Sequence, residues 1–137
     1  MDNQLALAEH ITVIESELTV PRKGSIRVRI DLSNRILSWR ESNRWNRNFT
    51  RTINRREVEA IQQGFCDCGI ENWPHFYPDR DTVEQPDAGQ RTWQIAVYAD
   101  DSDPAEVWIG REDTPPDYAH WVEILSLVCR QPFAVLD

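Results

Sequence analysis

The chain is poor in the residues from which reaction centres are usually built. Lysine occurs once, as Lys23, and among 137 residues there are only five glycines and three cysteines. The scattered glycines form neither a Walker loop nor a Gly-rich dinucleotide fingerprint. No serine stands in a Gly-x-Ser-x-Gly elbow, the strained turn that exposes a nucleophile. A nuclease centre that pairs carboxylates with lysine is disfavoured, because Lys23 lies in the turn sequence "PRKG". No run of eighteen apolar residues exists, which argues against a membrane-spanning helix. The opening "MDNQLALAEHITVIESEL" has no basic residue before Arg22, unlike a secretory signal. Three cysteines at these spacings do not make a secreted disulfide framework, so a reducing, cytoplasmic setting is expected. Together these absences point away from an enzyme and away from a bound cofactor.

What is present is a single domain's worth of chain, 1–137, with 40 % hydrophobic and 28 % charged residues, as in ordinary globular proteins. Tryptophan is abundant, at positions Trp39, Trp45, Trp73, Trp93, Trp108 and Trp121. Such rings supply core area, or mark contact surfaces when exposed. The net charge of −8 hides a division. Between Arg22 and Arg56, eleven basic residues face Asp31 and Glu41. From Glu71 onward, fourteen acids face four arginines. The chain is a charge dipole along its sequence, with consequences for what it attracts.

Hydrophobic alternation marks the strands. "SIRVRIDL" alternates Ile26, Val28, Ile30 and Leu32 with Ser25, Arg27, Arg29 and Asp31, a period of two. Ser33 and Asn34 form a turn that sends "RILSWRES" back as a hairpin partner. "ITVIESELTV" precedes them as another strand, and "RNFTRTI" is a candidate fourth. In "INRREVEAIQQGF", Asn54 and Glu57 predict a capping box. Val58, Ile61 and Phe65 share the apolar face of that helix, with Gly64 as its left-handed stop. "RTWQIAVYA" and "EVWIG" form a second hairpin. By alternation Trp93, Ile95 and Val97 go to one side and Tyr98 to the other, with Val107 and Ile109 set against Trp108. A second helix is predicted with Thr114 as its cap and an apolar stripe of Tyr118, Trp121, Val122, Leu125 and Val128. The expected fold is α+β: an antiparallel sheet of five or six strands with two amphipathic helices packed on one face.

Over its last third the chain resembles a broad group of small, uncharacterised bacterial α+β proteins. The resemblance rests on Gly89, Trp93, Ile95, Val97, Tyr98, Gly110, Pro115 and Tyr118, with one extra residue between Gly89 and Trp93. It implies the strand–turn–strand–helix order and carries no catalytic residue. Members of such groups often occur among toxin-immunity and accessory proteins, so an immunity-like role is the expectation it suggests.

Three stretches compete as sites. "FCDCGIENWPHFYPDRD" brings Cys66, Cys68 and His75 close in sequence; with Cys129 they make a formal Cys₃His set. The single residue between Cys66 and Cys68 is shorter than the usual zinc spacing, and core thiols at the helix end are expected instead of a metal. "DRDTVEQPD" presents Asp79, Asp81, Glu84 and Asp87. Glu84 and Gln90 occupy the positions where a helix–loop–helix calcium loop needs Gly and Glu, so this is read as an acidic loop and first candidate for partner contact. The third is a sheet face carrying Arg27, Arg29, Arg40, Tyr98 and Trp108, suited to a protein partner. Its bland alternative is a solvated face whose arginines pair with Asp31, Glu41 and acids of the C-terminal half. A protein partner is the leading expectation; nucleic acid bound through the arginine–aromatic face is second. A second copy closing on that face would make it a homodimer seam.

Overall fold

In a computed structural model, residues 11–42, 47–77, 91–99, 106–111 and 114–134 are described. Four antiparallel strands come first: β1 (Val13–Val20), β2 (Gly24–Asp31), β3 (Ile36–Ser42) and β4 (Arg47–Thr52). Helix α1 (Arg55–Asp67) and a 3-10 turn (Ile70–Asn72) follow, then a two-residue strand β5 (Phe76–Tyr77). The hairpin β6 (Thr92–Tyr98) and β7 (Glu106–Arg111) leads to α2 (Tyr118–Cys129). The sheet order is β4-β3-β2-β1-β6-β7-β5. Six strands are antiparallel, and β5 adds a short parallel edge to β7. The pairing of β1 with β6, Ser16 opposite Ile95, joins the two hairpin groups into one sheet.

Alternation along each strand decides what the sheet buries. Ile14, Ile26, Val28, Ile30, Leu37, Trp39, Ile95, Val97 and Trp108 lose essentially all contact with solvent. They join one apolar cluster with Ile61 and Phe65 of α1 and Trp121, Leu125 and Val128 of α2. Phe65 meets Trp108 and Trp121 edge to face, with ring centroids 6.0 and 6.3 Å apart. The Trp121 indole N–H donates to the Ser16 hydroxyl at 3.4 Å, giving a buried polar pair within this cluster. No helix of the described residues is long and apolar enough to cross a membrane.

The capping box at α1 forms. The Glu57 amide donates to Asn54 Oδ1 at 2.8 Å, and the Asn54 amide donates to Glu57 Oε1 at 3.0 Å. The other Glu57 oxygen accepts from Arg51 at 2.7 Å, and Arg51 also donates to the Val128 carbonyl near the end of α2. One arginine on β4 thereby ties the start of one helix to the end of the other.

Two helix ends differ from expectation. Gly64 does not stop α1, which continues to Asp67; the left-handed residue is Gly69, at φ 65°. Gly64 is buried inside the helix because a Cβ there would lie 2.5 Å from Ile124 Cδ1, so its small size serves the contact between α1 and α2. Thr114 does not cap α2. A turn from Pro115, closed by the Tyr118 amide on the Pro115 carbonyl, displaces the helix start to Tyr118. Consecutive prolines explain this: Pro116 removes a donor and disfavours helical geometry at Pro115. The expected stripe is otherwise present, with Tyr118, Trp121, Leu125 and Val128 buried and Val122 half-buried.

Candidate functional site

The side of the sheet opposite in parity to that cluster is mostly polar around β2 and β3, although Val13 of β1 and Ala96 of β6, on the same parity, are buried. On β1 it carries Glu15 and Glu17, on β2 Arg27 and Arg29, on β3 Ser38 and Arg40, and on β6 Tyr98. The antiparallel register sets Glu15 opposite Arg29 and Glu17 opposite Arg27. Both pairs close: Arg27 Nη2 to Glu17 Oε2 is 3.1 Å, and Arg29 Nη1 to Glu15 Oε2 is 3.4 Å. The other Glu15 oxygen accepts from the Tyr98 hydroxyl at 2.7 Å, while the Arg29 guanidinium lies 5.4 Å from the Tyr98 ring centroid. That hydrogen bond from the neutral phenol, helped by burial and the Glu15 charge, raises the Tyr98 pKa above its ordinary value.

On the next strand the pattern changes. Arg40 stands directly opposite Arg27, and Ser38 opposite Arg29. Among the described residues the Arg40 side chain has no ion-pair or hydrogen-bond partner. Glu15, Arg27, Arg29, Ser38 and Arg40 line a hollow of about 320 Å³. All three arginines are exposed.

Four of the five residues expected on this face are here; the fifth is not. Trp108 is fully buried, opposite Ile95 in the register and against Phe65, with the His75 ring stacked on it at 5.6 Å. In "EVWIG" two aliphatic residues flank one tryptophan, and alternation alone leaves open which parity is core. The largest ring takes the core because it removes the most apolar area from water. Gly110, on the same parity, confirms the register. A Cβ there would fall 2.1 Å from the Trp93 indole, so that side of β7 is closed by rings.

The arginines' partners also differ from the solvated-face expectation. Arg27 and Arg29 pair with Glu17 and Glu15 of β1, neither with Glu41 nor with acids of the C-terminal half. Asp31 instead caps its own turn, accepting from the Asn34 amide and side chain at 2.9 Å each. Burial works to raise that carboxyl, but these hydrogen bonds and the Ser33 amide hold it below its ordinary value. Sequence reasoning passed over Glu15 and Glu17. Their signal was there, since "IESEL" places both on the parity opposite Ile14, Ser16 and Leu18, and β1 is the immediate neighbour of β2.

The cysteine stretch resolves into core packing. Cys68 follows α1 and is buried; burial, then the charges of Asp117 and Asp67, push its thiol up to about 11. Cys129 is buried on α2, and burial pushes it up to about 12. Cys66 is half-buried, and none of the three forms a disulfide. Trp73 packs edge to face on Trp93 at 6.0 Å, and its indole donates to the Cys68 carbonyl at 3.0 Å, which anchors the start of the loop. Among the described residues no three His, Cys, Asp or Glu side chains gather as a metal site. Asp79, Asp81, Glu84 and Asp87, like Gly89, lie outside the described residues.

No family model matches the chain, and no curated protein is significantly similar to it.

Proposed function

We propose that the chain is a non-catalytic cytoplasmic protein that acts by binding another protein, most concretely as a toxin-neutralising, immunity-like protein. In this reading both helices pack against one face of the sheet and the other face is left to a partner. The observation that carries the reading is the exposed set Arg27, Arg29 and Arg40, beside Tyr98, around the hollow on that face. Arginine and tyrosine dominate interface hot spots, because a planar cation and an amphipathic ring bind tightly with little loss of side-chain freedom. The acidic set Asp79, Asp81, Glu84 and Asp87 is the second contact. It complements a basic toxin surface and speeds encounter. The immunity-like role itself comes from the resemblance of the last third to small, uncharacterised bacterial proteins, which often occur among toxin-immunity and accessory proteins.

Nucleic acid is the weaker alternative on physical grounds. A base-stacking platform needs free aromatic faces. Trp108 is in the core, and the Tyr98 ring is already approached by Arg29.

The test begins with the partner captured from the native cell, identified and purified. Its association rate with the wild-type chain is compared with that of the triple variant Asp79→Lys, Asp81→Lys, Glu84→Lys at low and high salt. The expected outcome is a fall of about tenfold or more at low salt, shrinking as salt screens the charges. An unchanged rate at both salt concentrations rejects the acidic contact. Sedimentation of the isolated chain at the same time separates a hetero-partner from a second copy on the sheet face.

A further inference from the structure

We infer that the hollow between β1, β2 and β3 is a carboxylate site, in which Arg40, with Ser38 beside it, receives one Asp or Glu side chain of a protein partner. The charge count around the hollow leads there. Arg27 is answered by Glu17 and Arg29 by Glu15, while Arg40 faces Arg27 across the strand pair and is answered by nothing among the described residues. Like charges directly opposite on neighbouring strands repel, so this arrangement is unfavourable in the free protein and is relieved by an anion set between them. One carboxylate matches the single charge left over. The guanidinium fork presents two parallel N–H donors to such a group, a geometry that lysine lacks.

The neighbours sharpen the choice of occupant. Ser38 sits on the same parity of β3, two residues from Arg40, and supplies a neutral donor beside the cation. Glu15 lines the hollow as well and repels a continuous polyanion that has to run past it. The Tyr98 hydroxyl is committed to Glu15. An isolated acidic side chain on a folded or extended protein segment meets these conditions; a nucleic-acid strand does not. The hollow is partly open to solvent, which admits the tip of a side chain presented by a larger surface.

The inference rests on the protein-binding reading for the owner of that acid, but its test needs no partner. The chain labelled with ¹⁵N-arginine is titrated with three probes: a capped pentapeptide of glycines with a central Glu, the same peptide with Gln, and a ten-residue oligothymidylate. The Arg40 Nε–H resonance is expected to move with the Glu peptide and stay still with the Gln peptide. Arg40→Gln should weaken the Glu peptide at least about fivefold, and Arg40→Lys should give an intermediate loss because charge is kept and the fork is not. Both substitutions lie on an exposed residue; Arg40→Gln also removes the repulsion with Arg27 and should leave the thermal midpoint unchanged or raised, while Arg40→Lys, which keeps the charge, should leave it unchanged. An unmoved Arg40 signal, equal binding by Arg40→Gln, or tighter binding of the oligothymidylate each overturns the site. Failure of the titration with an acid-dependent partner rate intact removes the carboxylate site alone. A successful titration with a partner rate indifferent to the acidic triple variant removes the acidic contact alone.

Discussion

The apolar and polar sides of the same strands obey different rules. On the apolar side, Trp39 and Trp108 are fully buried, and edge-to-face ring contacts join Trp39 to Phe133 and Trp108 to Phe65. Position there is dictated by volume. On the polar side the same β2 and β3 carry the exposed Arg27, Arg29 and Arg40, of which the first two form ion pairs with β1. Position there is dictated by register, which brings one residue opposite another whether the pair is favourable or not. The comparison teaches that burial sets position on one side of a strand while register sets it on the other.

The sharpest way to break that separation is to cut into the ring cluster. Trp108→Ala should destabilise the fold by about 3–5 kcal/mol, read as a lower urea midpoint with little change in slope, because a large void is left that its neighbours only partly fill. A loss below about 1 kcal/mol would return Trp108 to the solvent side.

The next largest effect concerns the tie between the helices. Arg51→Ala leaves Glu57 without its strongest partner and the Val128 carbonyl without a donor, and should cost about 1.5–3 kcal/mol. The same pair predicts acid sensitivity. The hydrogen bond from Arg51, ahead of the opposing effect of burial and with the Asn54 amide adding to it, holds the Glu57 carboxyl below its ordinary value. A group depressed in the folded state contributes stability above its unfolded pKa, and that contribution is lost as pH falls through the folded value. Urea midpoints of the wild type should therefore fall between neutral pH and the acid limb, with the Asp31 turn adding to the fall. In Arg51→Ala the Glu57 share of that fall should disappear.

The smallest effect belongs to the polar side. Arg27→Ala removes an exposed pair with Glu17 and also a repulsion with Arg40, so the change should stay within about 0.5 kcal/mol. A cost several times larger would mean that this face is structural and would remove the reason to read it as a contact surface.

Much of the framework is readable from the chain because it rests on local rules. The period of two in "SIRVRIDL" becomes β2, with Ile26, Val28 and Ile30 buried and Arg27 and Arg29 exposed. The Asn54–Glu57 box starts α1 where expected, since a cap needs only residues three apart. Errors arise where a local rule met a distant neighbour. Gly64 reads as a stop by itself, yet its size answers Ile124, sixty residues away. Trp108 has a parity that five residues of strand leave ambiguous; Phe65 and Ile95 settle it from other elements. The two-residue β5 was invisible, because so short a strand owes its existence to β7 rather than to its own pattern.

Sequence alone determined the approximate segments of β1–β4, β6, β7 and the two helices, the cap of α1, the exposure of Arg27 and Arg29 and the division of charge along the chain. Each follows from alternation, capping or composition within a few residues. Only the tertiary structure decided that Glu15 and Glu17 answer Arg29 and Arg27 while Arg40 stands opposite Arg27, that Trp108 lies within the core, and that Arg51 joins two helix ends. Those outcomes depend on strand order and register, which arise from how separate segments share one buried volume, and no single segment carries that information.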